Sequence, residues 1–306
     1  MPIRNREITV LLPTYNGARF LSEQLASLFA QENVRIRILL RDDASEDDTV
    51  AIARTFASQN ASSSCTMQVH TGPRLGVVGN VSTLLELAEH ETTPYFALAD
   101  QDDIWHPSKL TTQLEAMYEL ENRFGSDVPL LVCSDARCVD AKGAEVSPSF
   151  LKTLGIPPSW GHNLRQALVK SWALGCSCLG NAALRRMAAP LPPRDDIFMH
   201  DWWLLLVAQC FGGVSCLRHP LMDYRQHEEN VVGAKRRAPL MQRIIARMTN
   251  NLQTQKQAGT FLKRYKKELA VEQRVLLADW SNMHKLPWPC RCWKSWRKNF
   301  KKPGIV

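Results

Sequence analysis

Four times within the first hundred or so residues, a short apolar run stops at a polar cluster, and in the first three a helical pattern follows at once. Residues 7–12 run into Pro13-Thr-Tyr-Asn-Gly17, after which Leu21, Leu25 and Leu28 recur at helical spacing. Residues 35–40 end at Asp42-Asp43-Ala-Ser-Glu-Asp47, with a helix expected over about 48–57. Residues 66–70 lead to Arg74-Leu-Gly-Val-Val-Gly-Asn80 and a helix carrying Leu84, Leu85 and Leu87. Residues 95–99, too short for a helix and preceded by Pro94, end at Asp100-Gln-Asp-Asp103. Strand and helix alternating through short connections imply an α/β fold, with a parallel sheet and right-handed crossovers. Every polar motif then falls on the carboxyl edge of the sheet, where open α/β sheets bind ligands.

The fourth junction is the most demanding electrostatically. Asp100, Asp102 and Asp103 crowd like charges where a buried strand emerges. Repulsion raises their pKa values and destabilises the site unless a cation or hydrogen-bond donors compensate. Hard oxygen ligands at this spacing suit Mg²⁺ or Mn²⁺, which also bridge substrate phosphates. The alternative is an acidic turn capping the next helix, with Pro107 at its first position. No G-x-G-x-x-G follows the first strand and no G-x-x-x-x-G-K-[ST] occurs, which argues against a dinucleotide-binding unit and a P-loop ATPase. What remains is a phosphate-bearing ligand held by a metal and acids.

Pro13-Thr-Tyr-Asn-Gly17, Asp42-Asp43-Ala-Ser with Asp47, and Asp100-Gln-Asp-Asp103 resemble the nucleotide-binding signatures of family 2 inverting glycosyltransferases with the GT-A fold. His200-Asp-Trp-Trp203 and Tyr224-Arg-Gln-His227, followed by Asn230 and Gly233, resemble the bacterial rhamnosyltransferase-like branch. The resemblance spans about residues 7–233 and implies a GT-A-like, mostly parallel sheet flanked by helices. It also implies roles. Thr14, Tyr15, Asp42, Arg74, Asp100 and Arg225 would bind the nucleotide-diphosphate sugar, with Asp42 accepting a base N–H and Asp43 ordering the loop. Asp102, Asp103 and His227 would ligate Mn²⁺ or Mg²⁺. Asp201 matches the general base, and His200 replaces the acid that usually precedes it. Gly175, Cys176, His200 and Trp202 would face the acceptor. An inverting transfer is one in-line displacement and needs one base and no covalent intermediate, so no activated Ser or Cys is required.

Several of these residues carry a second explanation. Asp201 precedes an apolar helix at 202–211 and is a favoured N-cap type. His227 suits a hydrogen-bonded surface position as well as a ligand. Gly175-Cys-Ser-Cys-Leu-Gly-Asn181 reads as an acceptor-pocket segment or as a tight turn into a helix from about 182. Trp160 and Trp172 either stack on a sugar or pack. Residues 130–134 read as a strand and 135–143 as a turn-rich loop.

Charge divides the chain. From Lys235 onward there are 18 Lys and Arg against three Asp and Glu, a net of +15; the preceding 234 residues carry −7, making the overall +8. The expected organisation is a catalytic domain over 1–234, with a nucleotide half at about 1–105 and an acceptor half at about 106–234. A basic, Trp-rich helical extension occupies 235–306, with helices expected over about 239–251 and 254–278. The interleaved Trp and Lys/Arg of residues 288–300 suit an anionic membrane interface. They equally suit a helical hairpin whose tryptophans pack on the domain. Nucleic acid is not expected as a partner, because no nucleic-acid fold motif accompanies the basic tail.

No apolar run is long enough to span a bilayer, and no secretory signal precedes the first strand. Nine cysteines, with C-x-C pairs lacking zinc-site spacing, fit reduced cytoplasmic thiols. The expectation is a cytoplasmic enzyme, peripheral on the inner membrane if the tail binds lipid. It would move a sugar, rhamnose first, from a dTDP- or UDP-sugar to a glycan or lipid-linked glycan in surface polysaccharide synthesis. Two competing functions are a non-catalytic membrane-associated scaffold and a sugar-nucleotide nucleotidyltransferase. The latter would carry a Gly-rich basic loop after the first strand, which residues 13–17 are not.

Overall fold

The computed structural model describes residues 6–60, 62, 64–157, 163–227, 240–287 and 300. Its first half follows the alternation in the sequence: β1 (Glu7–Thr14), α1 (Leu21–Phe29), β2 (Arg35–Asp42), α2 (Thr49–Asn60), β3 (Cys65–Thr71), α3 (Gly76–Leu87) and β4 (Tyr95–Leu98). β1 pairs in parallel with β2 and β4, and β2 with β3. Side chains on β1 alternate between two cores, as the strand period requires. Ile8, Val10 and Leu12 meet Leu21, Leu25 and Leu28 of α1 on one face, while Leu11 meets Leu84 and Leu85 of α3 on the other. Each fully buried leucine contributes about 1.5–3 kcal/mol.

The second half comprises β5 (Ile104–Trp105), α4 (Lys109–Phe124), β6 (Leu130–Asp140), β7 (Glu145–Ser147), α5 (Phe150–Thr153), α6 (Leu164–Val169), β8 (Cys178–Asn181), α7 (Ala182–Ala188), α8 (His200–Phe211), β9 (Gly213–Gln226), α9 (Leu240–Arg264) and α10 (Val271–Ser281). The sheet is mixed, in the order β3-β2-β1-β4-β8-β6-β9-β5, with β7 paired to β6. β8 runs antiparallel to both its neighbours, and β6 and β9 are parallel. Gly180 lets β8 lie close to β4, since a Cβ there would stand 2.5 Å from the Phe96 ring.

Three local expectations are corrected. α4 begins at Lys109 behind an N-cap at Ser108, so Pro107 lies outside the helix. β6 continues to Asp140 through the span expected to be a loop, because β9 pairs with it as far as Asp140↔Gln226. Long-range pairing overrides local turn preference there. α9 runs unbroken to Arg264, and Thr254 and Gln255, at the expected start of a second helix, are buried within it.

α9 and α10 share the core beneath α8. Ala258, Phe261, Tyr265, Leu277 and Trp280 belong to the same cluster as Trp203, and the rings of Trp203 and Phe261 lie 5.1 Å apart. Phe300 packs on Trp280 with the ring centroids 5.1 Å apart and the planes tilted by 41°. Trp160 and the tryptophans of the tail at 288, 293 and 296 lie outside the described residues. Among the described residues no helix is long and apolar enough to cross a membrane, and seven cysteines are free thiols.

Candidate active site

Two motifs at the carboxyl edge hold each other. The Tyr15 amide donates to Gln101 Oε1 at 2.8 Å, and Gln101 Nε2 donates back to the Tyr15 carbonyl at 3.0 Å. Gly17 leaves room beside them, since a Cβ there would lie 2.3 Å from Gln101 Oε1 and displace the Gln101 side chain. After β2, Asp42 accepts from Thr14 Oγ1 at 2.9 Å and from the Ser45 amide and hydroxyl at 2.8 and 2.5 Å. Asp43 pairs with buried Arg41 at 2.9 Å and accepts the Leu75 and Gly76 amides at 2.8 and 2.7 Å. These amides open α3, where an anionic acceptor is favoured. The same loop places the Arg74 guanidinium 4.1 Å above the Tyr15 ring.

The acidic loop between β4 and β5 is fastened by the far end of β9. Arg225 donates its backbone N–H to Asp103 Oδ1 at 3.1 Å and its Nε to the Asp102 carbonyl at 2.9 Å. Its guanidinium also pairs with Glu23 at 2.6 Å and lies 4.5 Å over the Phe20 ring. Two residues on, His227 Nε2 meets Asp102 Oδ2 at 2.7 Å. Burial and the neighbouring Asp102 charge push the Asp100 carboxyl up to about 7. Burial raises Asp102 also, against the hydrogen bond from His227. Asp103 is raised well above the usual range by burial and by both neighbouring acids.

Opposite stands the first turn of α8. Burial pushes Asp201 up to about 7, although the Trp202 and Gly175 amides donate to it. Its N-cap is Met199, so Asp201 lies one position inside the helix and is not the cap. His200 is buried, which pulls its imidazole down to about 4, and its Nδ1 has no partner among the described residues. Gly175 makes room for it: a Cβ would lie 2.9 Å from His200 Nε2.

One cavity of about 500 Å³ joins these parts. Thr14, Tyr15, Arg74, Asp100, Asp102, Gly175, His200, Asp201 and His227 line it, as their sequence motifs suggested. Asp42, Asp103, Cys176, Trp202 and Arg225 do not line it. Asp42 is 1 % exposed and engaged by Thr14 and Ser45. Asp103 is fully buried beneath the loop. Cys176 lies behind the wall, its thiol pushed well up by burial and by Asp103 and Asp100. Trp202 packs edge-on to Phe198 at 5.1 Å and donates its indole N–H to the Ala167 carbonyl at 2.5 Å. Arg225 is 3 % exposed and braces the acidic loop.

The sequence reading passed over Gln101 and Asn80, and took Asp43 for a loop residue only. All three line the cavity. Gln101 and Asn80 sit inside motifs already marked by their neighbours. Lys109 was also missed. Its Nζ is buried 3.5 Å from the Trp105 ring centroid, donates to Gln113 Oε1 at 3.0 Å, and has its pKa pulled to about 8 by burial. A lone lysine beside Leu110, Gln113, Leu114 and Met117 on the buried face of α4 was the available signal.

The donor set fits a divalent cation. Two half-buried carboxylates, Asp100 and Asp102, face the cavity beside the His227 imidazole, and a cation would relieve their mutual repulsion. Asp100, Asp103 and Cys176 also cluster, with ligand atoms within 4.8 Å of one another. That second set includes a protonated thiol, a poor partner for a hard ion.

A mixed sheet flanked by helices, with acids and a nucleotide-sized cavity at its carboxyl edge, is the architecture of a GT-A glycosyltransferase. Residues 9–189 match the model of Glycosyl transferase family 2, and the chain belongs to that family. Over 230 residues it is 27% identical to the dTDP-rhamnosyl transferase RfbG of Shigella flexneri, covering 73% of this chain and 74% of that one. Residues 1–349 of S. aureus TarS, solved in complex with UDP, share the fold with a TM-score of 0.58 at 16% identity, over 91% of this chain and 71% of that one. The mannosyltransferase PcManGT of Pyrobaculum calidifontis, solved with GDP-Man and Mn²⁺, gives a TM-score of 0.55 at 17% identity, over 98% of this chain and 86% of that one.

Proposed function

We propose that this glycosyltransferase moves a sugar with inversion from a nucleotide-diphosphate donor to a glycan acceptor, with Asp201 as the general base. One observation carries the reading: Asp201 faces the same cavity as Asp100, Asp102 and His227, so a base and an acidic, cation-suited wall flank one space. Thr14, Tyr15, Asn80 and Arg74 line the nucleoside side of that space, and Arg74 stacked on Tyr15 offers a flat platform for a base. The likeness to a dTDP-rhamnosyl transferase supports dTDP-rhamnose as donor, with UDP-sugars next. The acceptor would be a glycan or lipid-linked glycan of a bacterial surface polysaccharide.

The residues divide the work. The acceptor hydroxyl donates its proton to an Asp201 oxygen as its own oxygen bonds to the anomeric carbon. The bond from that carbon to the diphosphate breaks, and its electron pair leaves with the nucleotide. Burial keeps Asp201 basic enough to accept the proton near neutral pH, a match that contributes about 10²–10⁴-fold. The Gly175 and Trp202 amides aim the carboxylate. Neutral His200, beside it, can hydrogen-bond an acceptor hydroxyl without adding charge. Asp100, Asp102 and His227 would hold Mn²⁺ or Mg²⁺, which when bound supplies charge neutralisation for the departing diphosphate.

Thermal-shift titration tests the donor site. dTDP-rhamnose and UDP-sugars are each titrated with Mn²⁺, Mg²⁺ or EDTA. Metal-dependent stabilisation that grows with the logarithm of one sugar nucleotide is expected. No shift with any of them, at concentrations far above ordinary donor affinities, would refute the donor assignment.

A further inference from the structure

A second cavity lies far from the acidic loop in the chain. Between α9 and α10 a groove of about 520 Å³ has Leu262, Val275 and Ala278 as its apolar floor and Lys263, Lys266 and Arg274 as its rim. No acid lines it. Val275 is 46% exposed, and Val271, one turn earlier on α10, is 60% exposed. Lys263 and Lys266 are exposed as well. An apolar trough edged by cations matches an amphiphile with an acidic head, because long basic side chains keep their charge in water while their stems cover apolar surface.

We propose that the α9–α10 groove docks the protein on a membrane of anionic phospholipid. The lipid phosphate sits among Lys263, Lys266 and Arg274, and the glycerol and upper acyl region lie on Leu262, Val275 and Ala278. Such a surface binds through buried apolar area together with attraction to acidic headgroups. This placement also ties the membrane to the acceptor side. Gln257 Oε1 of α9 accepts the Phe198 amide at 2.7 Å, three residues before Asp201. Arg264 donates to the Pro190 and Ala189 carbonyls at 2.6 and 3.0 Å, and Tyr265 donates to the Met187 carbonyl at 2.8 Å. The helix that forms the groove therefore braces the segment leading to the base. That last link, delivery of a membrane-borne acceptor to Asp201, rests on the function proposed above; the docking itself does not.

Flotation of the full chain with phosphatidylcholine vesicles, with and without phosphatidylglycerol, tests the groove. The wild type should float only with the acidic vesicles. Each basic residue near such a surface strengthens binding about fivefold. The triple variant Lys263→Glu, Lys266→Glu, Arg274→Glu should therefore lose at least about a hundredfold in partitioning. Val275→Asp, a single exposed change, should weaken flotation alone and guards against misfolding of the triple variant. Both variants should keep the wild-type response to donor in the thermal-shift titration, so failure of the donor reading registers there and not in flotation. The proposal is overturned if the variants float as the wild type does, or if neutral vesicles suffice. Displacement from vesicles by inorganic phosphate would mark a soluble-anion site, and equal, variant-sensitive binding of a DNA oligonucleotide would mark a nucleic-acid surface; either result overturns it too.

Discussion

Asp42 and Asp43 close β2, and Asp100 and Asp102 follow β4, yet the two pairs live in opposite circumstances. The β2 pair is saturated with donors: Thr14 and Ser45 serve Asp42, while Arg41 and two amides of α3 serve Asp43. The β4 pair is half-buried beside further acids, and both carboxyls are raised, Asp100 to about 7. Burial alone therefore does not mark a functional carboxylate. Burial without enough compensating charge does, because that arrangement is costly until a ligand arrives.

The sharpest way to break the comparison is at the base. Asp201→Asn should lower the transfer rate about 10²–10⁴-fold while the thermal shift with donor and metal persists. Near-normal transfer would remove Asp201 from that role. Next comes the saturated pair. Asp43→Ala leaves buried Arg41 with the neutral acceptors Asn80 and Pro73 but no carboxylate and should cost about 3–5 kcal/mol in urea unfolding. A neutral effect would mean that the β2 acids are not the structural pair.

A third test follows the protons. Asp100 and Asp201 have folded pKa values near 7, above their ordinary 3.8, so the folded state binds more protons than the unfolded state between those values. Their contribution to stability is fully present below about pH 4 and is lost as pH rises through about 7. The metal-free unfolding temperature should fall over that window. Asp100→Asn should raise the metal-free unfolding temperature at pH 8 and change it little at pH 4. The transfer rate should rise across the same window as Asp201 sheds its proton. The smallest effect is expected at Trp202→Phe, which loses the bond to the Ala167 carbonyl and a little ring volume and should cost about 1–2 kcal/mol with transfer unchanged. A large loss of acceptor affinity there would return Trp202 to the site.

The first four strands were legible because each announces itself locally, by an apolar run of strand length and a polar stop. β8 was not. It is four residues long, reads as a turn, and becomes a strand only because β4 and β6 lie on either side of it. The cavity was legible where motif residues face it, at Thr14, Tyr15, Asp100 and Asp201. Trp202 misled because adjacency in a motif is not adjacency on a helix. One residue past Asp201 is about 100° around the axis, which turns the indole toward Ala167 and the core. Arg225 misled for the opposite reason. Its partners are Glu23, Asp102 and Ala141, and no local pattern reports contacts across such separations.

The Arg225 clasp also sets an order of assembly. The acidic loop is made early in the chain, but the backbone and guanidinium that fix it, and the His227 that meets Asp102, come more than a hundred residues later. A nascent chain still lacking the end of β9 can pair β1 with β2 and β4 and β2 with β3, but both cores still want residues from the end of β9 or beyond it. It holds three unmatched acids with nothing to aim them. Contacts so distant in sequence close last, after the loop entropy between them has been overcome. The aim of the acidic loop is thus set by the end of β9 and not by the strand that carries it.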